Sequence, residues 1–256
     1  MTKRDDAPQC AAPQVDATPE RPVVRAVRKS PGQAAWEWTK SLAVALVIWF
    51  MLTSLLVQAF RIPSGSMENT LLVGDFLFVN KALYGAEVPL LGKRLPAFRD
   101  PARGEIVVFD SVEDPGISVV KRIVGVPGDT IGMQDNVLFL NGAPLEEQYV
   151  VRGNSSDQRD PRMRVWQRAH LVDGLDRTSY RPTLKNWGPL VVPMDSVFVM
   201  GDNRDNSYDG RYWGFLGRDR IRGKPLFVYY SYDKKGLYPL PFLTAIRWSR
   251  VFSRPD

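Results

Sequence analysis

Ser64 and Ser66 flank Gly65 in RIPSGSMENT, and Lys121 stands among valines in ISVVKRIVGVPGD. Two serines around a glycine ordinarily make a turn. A serine becomes a nucleophile when a nearby base takes its proton, and a lysine is such a base when burial keeps its amine neutral. At a reference pKa of ~10.4, under about 0.1% of the amine is neutral at pH 7. A drop of roughly two to three pKa units costs about 3 to 4 kcal/mol and raises that fraction toward ~10%. Alternate residues of a strand share a face, which puts Lys121 with Val119 and Ile123, and Arg122 with Val120 and Val124. The same letters also fit an edge-strand lysine that snorkels to water.

The alternatives to a lysine base are few. The chain has one histidine, His170, expected at the surface of an Arg-rich loop, and one cysteine, Cys10. These counts remove His/Cys zinc sites and weaken any mechanism built on a histidine base. In MGDNRDNSYDGRYWGF, residues 200–215, Asp205, Ser207, Asp209 and Gly210 fit the first half of a calcium loop. Such a loop needs a bidentate glutamate at its twelfth position, which here is Leu216. The segment reads either as a self-bonded polar turn or as a rigid support that orients a lysine amine and pairs with Arg122.

These groups need elements to position them. At 256 residues and a net charge of +6, the chain suits one large domain or two modest ones, and the mild basicity excludes little. Residues 1–35, rich in proline and alanine without an apolar period, read as a disordered cytoplasmic tail. Residues 36–60 follow as a transmembrane helix with interfacial Trp36 and Trp38, since SLAVALVIWFMLTSLLVQAF carries no charge. Its core is longer than that of a cleavable signal peptide. Arg21, Arg25, Arg28, Lys29 and Lys40 before the run, against Arg61 after it, put the N-terminus in the cytoplasm and residues 61–256 on the exported side. That exported part reads as mainly β, with strands in DFLFVNK, GEIVVFD, ISVVKRIVGVPGD, NVLFLNGAPL, DSVFVMGDN and KPLFVYYSYD. Asn141-Gly142 marks a hairpin. An inserted cap region over about 131–195 contains the Arg-rich stretch 151–189, expected to be a loop without a helix.

PSGSM, RGEIVVF, VKRIVGVPGD and GDNRDNSYDGR, in this order after an apolar helix, resemble bacterial type I signal peptidase. The resemblance implies a β-rich, membrane-bound Ser–Lys endopeptidase of the bacterial plasma membrane, needing no cofactor or metal. It would cut signal peptides from exported preproteins after a small-x-small site. Ser66 matches the nucleophile and Lys121 the general base. Ser64, with the Ser66 backbone N–H, matches the oxyanion hole. Ser207 matches the residue that positions the amine, Asp209 and Arg211 a supporting acid–base pair, and Arg122 and Asp202 join them as supports. Asn69 departs from the proline that the family often carries there. The implied partners are preproteins, the bilayer with its anionic headgroups and nearby export machinery, with no nucleic acid. Lys234, Lys235, Arg247, Arg250 and Arg254, with Phe242 and Trp248, form a basic, aromatic tail suited to such headgroups. A specialised pilin-processing peptidase or a peptide-capturing β module fits parts of the pattern, but the module has no need for Ser66 and Lys121 together.

Because the chemistry so read uses no metal, peptidase activity should survive EDTA. A loss restored by calcium or zinc would overturn the reading of residues 205–210 as a support loop.

Overall fold

The computed structural model describes residues 30–88, 92–234 and 240–255. The chain divides into two compact units, Met1–Ala45 and Leu46–Asp256. Helix α1, Pro31–Met51, has no buried residue, and the Lys40 ammonium sits 5.3 Å from the Trp36 ring centre. The residue 1–35 tail lies largely outside the described residues, as does Cys10.

The apolar run does not continue as one helix to residue 60. After Met51, Leu52–Leu56 form a π-helical turn and Val57–Arg61 form strand β1. No helix among the described residues is long and apolar enough to cross a membrane. Hydropathy alone does not separate a helix from a strand with a buried face. Here Val57 to Arg61 find antiparallel partners from Asn80 to Phe76, and Phe60 packs against Ile62, Met67 and Leu77.

Ten further strands follow: β2 Asp75–Asn80, β3 Ile106–Asp110, β4 Ser118–Gly125, β5 Thr130–Gln134, β6 Val137–Leu140, β7 Ala143–Pro144, β8 Trp187–Val191, β9 Ser196–Met200, β10 Leu216–Gly217 and β11 Ile221–Ser231. A seven-stranded antiparallel sheet runs β1-β2-β11-β3-β4-β9-β10, and a four-stranded one runs β7-β6-β5-β8. The mainly β expectation holds. Strand β4 is interior, paired with β3 on one side and β9 on the other. Val120 joins an apolar cluster with Met67 and Leu71, while Ile123 joins another with Val199 and Leu216. Lys121 therefore has no edge from which to reach water.

The cap region supplies the smaller sheet and a helix the sequence hid. Asn141 and Gly142 both adopt positive φ, 50° and 85°, as a tight two-residue hairpin turn requires. Helix α2, Pro161–His170, starts at Asp160, whose carboxylate accepts the Arg162 N–H at 2.8 Å, with Pro161 in the first turn. Met163 and Gln167, one turn apart, are buried, whereas Arg162 and Val165 face outward. The expected Arg-rich loop is thus partly an amphipathic helix. Two short helices complete the fold, α3 Gly210–Trp213 and α4 Pro241–Thr244.

Arg247 and Arg250 are anchors rather than free surface charge. Asp75, fully buried, accepts from Arg250 Nη2 at 2.6 Å, from Ser231 Oγ at 2.7 Å and from the Leu72 N–H at 2.8 Å. Arg247 donates to the Val73 carbonyl at 3.1 Å and pairs with Asp233 at 3.3 Å. The expectation that Arg247 and Arg250 meet headgroups is corrected, because the buried carboxylate of Asp75 recruits Arg250 and brings Arg247 within 3.8 Å. Phe242 and Trp248 remain exposed, as do Lys234 and Arg254, while Lys235 lies outside the described residues. Arg250→Ala strands a buried carboxylate and should cost roughly 3 kcal/mol, read as a lowered denaturation midpoint. An unchanged midpoint would show that Asp75 is satisfied without its arginine.

Candidate active site

Ser66 lies in the turn that follows β1 and Ile62, and its neighbours Met67 and Leu71 are buried in the apolar cluster beneath. That packing pins the turn from below. From above, the Asn203 N–H donates to the Ser66 carbonyl at 3.1 Å, and Asn203 Nδ2 donates to the Gly65 carbonyl at 3.2 Å. Gly201 allows this approach. A Cβ there would stand 2.5 Å from the Ser66 carbonyl oxygen and closer still to Ser207 Oγ.

Strand β4 delivers Lys121 to the serine. Its Nζ lies 2.6 Å from Ser66 Oγ and donates to the Val120 carbonyl at 3.1 Å. Lys121 is 3% exposed and Ser66 9%. Burial pushes the amine down to about 8; Asp209 and Asp202 oppose that shift, and Arg211 adds to it. Ser64 Oγ stands 3.5 Å from Ser66 Oγ.

The surrounding charges are buried and paired. Arg122 forks onto Asp202, Nε to Oδ1 at 2.9 Å and Nη2 to Oδ2 at 2.8 Å, and its Nη1 donates to the Gly104 carbonyl. Thr70 Oγ1 also donates to Asp202, at 2.5 Å, tying the serine turn to the same carboxylate. Asp209 caps α3, accepts the Gly201 N–H at 3.0 Å and binds Arg211 through both oxygens, at 2.9 and 3.0 Å. Burial alone would raise the Asp209 carboxyl; Arg211 and the Gly201 N–H hold it below the usual carboxylate range.

Ser66, Lys121, Ser64, Arg122, Asp202, Asp209 and Arg211 are therefore tied into one region by direct hydrogen bonds, short side-chain approach or the electrostatics of the Lys121 amine. Ser207 is buried beside Gly201, its hydroxyl helping to hold the Asp209 carboxyl low, and no direct hydrogen bond joins it to the Lys121 amine. His170, expected at the surface, is half-buried against Phe215 and bonds the Trp166 carbonyl at 3.0 Å. The Trp166 carbonyl and the rings of Trp166 and Phe215 account for it without any role at the serine. Asn69 adopts φ 87°, a left-handed conformation that asparagine tolerates and a proline ring forbids. Thr70, Tyr149, Gly201, Asn203 and Arg204 escaped sequence reasoning, because their contacts join segments far apart in the chain.

Residues 35–230 match the family model described as signal peptidase, peptidase S26. The chain belongs to the signal peptidase family. It is 35% identical over 240 residues to signal peptidase I of Pseudomonas fluorescens, covering 89% of this chain and 83% of that one. A probable signal peptidase I-2 of Synechocystis is 30% identical over 216 residues, covering 82% and 80%. A crystal structure of a signal peptidase I from Enterococcus faecalis is 28% identical, with TM-score 0.34, covering 50% of this chain and 98% of that one.

For a signal peptidase whose amine titrates near 8, kcat/KM should climb about tenfold per pH unit below that value and level off above it, provided chemistry limits the rate. The linked stability has a definite sign. A lysine near 8 folded and near 10.5 unfolded binds fewer protons in the native state, so its cost is full below pH 8 and fades as pH rises toward 10.5. Lys121→Met should therefore raise the denaturation midpoint at pH 7, by up to roughly 3 kcal/mol, while abolishing turnover. A flat profile from pH 5 to 9, or a destabilised methionine variant, would contradict the desolvated amine.

Proposed function

We propose that the chain is a serine endopeptidase that removes N-terminal signal peptides from exported preproteins, with Ser66 as nucleophile and Lys121 as general base. The approach of Lys121 Nζ to 2.6 Å from Ser66 Oγ, away from water, carries the proposal. At the lowered pKa about one amine in ten is neutral at pH 7, enough to take the hydroxyl proton as Oγ attacks the scissile carbonyl. The tetrahedral intermediate collapses to an acyl-enzyme when the lysinium returns its proton to the departing amine of the mature protein. Water then attacks the ester with Lys121 again as base, and the signal peptide leaves.

Charge appears on the substrate carbonyl oxygen only in the transition state. The Ser64 hydroxyl and the Ser66 N–H are the donors proposed for it. Ser207, buried against Gly201 in the loop that carries Asp209, is proposed to turn its hydroxyl to the amine during proton transfer. Arg122, Asp202, Asp209 and Arg211 hold the lysine's surroundings fixed. The apolar surroundings of Lys121 favour small side chains near the cut, which supports a small-x-small preference.

We further propose attachment to the bacterial plasma membrane through the apolar run, with the N-terminus cytoplasmic and the catalytic unit on the outer side. Leu42, Val44, Leu46, Val47, Ile48 and Phe50 are all at least half exposed on α1, an apolar surface that water does not favour. Exposed Trp248, Phe242, Lys234 and Arg254 suit contact with anionic headgroups.

Incubating the detergent-solubilised enzyme with a preprotein and sequencing the new N-terminus tests the function. Cleavage after a small residue with a second small residue at −3 is expected, and equal cleavage with bulky residues at −1 and −3 would remove it. Ser66→Ala and Lys121→Ala should each abolish cleavage in a folded protein, with His170→Ala nearly silent. Ser64→Ala should lower kcat about 10² to 10³-fold with little change in KM. An unchanged kcat would make Ser64 a turn residue and nothing more.

A further inference from the structure

The region between β4 and β9 also reaches the site. Its 147–151 segment, from no motif singled out in the sequence, grips the loop that grips Ser66. We infer that Glu147, acting through Arg204 and Asn203, is a positioning residue for the nucleophile.

The chain of contacts is continuous. Asn203 holds the carbonyls of Ser66 and Gly65, at 3.1 and 3.2 Å. Its two flanking residues are bonded to one residue of the cap: the Val151 N–H donates to the Asp202 carbonyl at 2.9 Å, and the Arg204 N–H donates to the Val151 carbonyl at 3.1 Å. This parallel bridge leaves Asn203 between two fixed backbone points. Arg204 then anchors the loop by its side chain. Nη2 donates to Glu147 Oε1 at 2.5 Å and Nε to the Gly201 carbonyl at 3.2 Å, both groups out of water. The Arg204 carbonyl accepts from Arg211 at 2.6 Å, so the loop that carries Asp209 is fastened by the same residue.

Glu147 has a second arm. Its Oε1 also accepts the Tyr149 hydroxyl at 2.9 Å, and the Tyr149 ring lies 3.9 Å from the Arg122 guanidinium, which holds Asp202. Glu147 thus meets the site loop from both sides, through Arg204 and through Tyr149 and Arg122. A 2.6 Å hydrogen bond from Lys121 to Ser66 tolerates little displacement, and the carbonyl of Ser66 is on the gripped side. Removing Glu147 leaves the Arg204 guanidinium buried without its counter-ion, and the loop must move to rehydrate it.

The inference rests on the Ser66–Lys121 reading and is tested separately from it. In the full-length detergent-solubilised enzyme, Glu147→Ala should lower kcat about tenfold or more while KM stays within about twofold, measured well below its melting temperature. Glu147→Gln keeps an acceptor for Arg204 though not its counter-ion, and should restore part of that kcat. Arg103→Ala, which opens the Arg103–Asp129 pair elsewhere in the fold, is the comparison: it should lose stability and keep kcat. If Glu147→Ala does not fold, Tyr149→Ala carries the same test, with kcat expected to fall about fivefold or more at unchanged KM. A kcat within about threefold of wild type in the folded Glu147→Ala protein overturns the inference, as does a glutamine variant as slow as alanine or an equal loss in Arg103→Ala. If the Tyr149→Ala substitute is used, a kcat within about twofold of wild type overturns it. Loss of activity in Ser66→Ala alongside any of those outcomes leaves the nucleophile standing; activity retained in Ser66→Ala fells the reading beneath both.

Discussion

An amine kept out of water is the constraint on which the candidate site depends, and an interior strand keeps it there. Lys121 sits on an interior strand with apolar clusters on both faces of β4. Solvation of an ammonium favours exposure, so the interior position lowers its pKa to about 8. The same residue on an edge strand would reach water and stay charged. Position within the sheet, more than residue type, therefore sets the proton affinity.

Buried charges nearby are balanced in pairs. Arg122 with Asp202, Asp209 with Arg211 and Glu147 with Arg204 each bring one cation and one anion out of water. An unpaired carboxylate beside Lys121 would stabilise the ammonium and raise its pKa, undoing the effect of burial. Pairing each acid with an arginine keeps hydrogen-bonding rigidity in the loop while limiting that pull. Arginine suits the task because its guanidinium stays charged and forks onto a carboxylate in fixed geometry. Asp209 and Asp202 still oppose the depression of the amine, so the balance is partial, and burial remains the larger effect.

Local patterns carried the larger part of this picture. Strands β2, β3, β4, β6, β9 and β11 follow from runs of Val, Phe and Tyr between turn residues, and Asn141-Gly142 forms the expected hairpin turn. The strands that were not legible, β1, β5, β8 and β10, are continuous with an apolar helix, broken by glycine or proline, or only two residues long. Helix α2 was hidden because its arginines, and a polar residue at the buried position Gln167, leave only Met163 and Trp166 to mark its inner face. In the site, Ser66 and Lys121 were legible as residue types that need each other. Asn203, Tyr149, Glu147 and Arg204 were not, since a glutamate in a polar loop has no signature until folding buries it against an arginine 57 positions away.

The two residues of the proposed dyad are held by different means. Lys121 is fixed by a regular ladder, with backbone neighbours on β3 and β9 and a side chain confined by packing. Ser66 lies outside any strand, on a turn whose neighbouring Asn69 takes a left-handed conformation. A nucleophile must present its hydroxyl to a substrate, which a residue closed on both faces of an interior strand cannot do. The turn gives that access and gives up the ladder, so its position has to come from elsewhere. Met67 and Leu71 supply one restraint by burial, Thr70 a second through Asp202, and Asn203 a third through the carbonyls of Gly65 and Ser66. Each restraint ends on a different part of the chain, so precision at Ser66 is a property of the assembled fold.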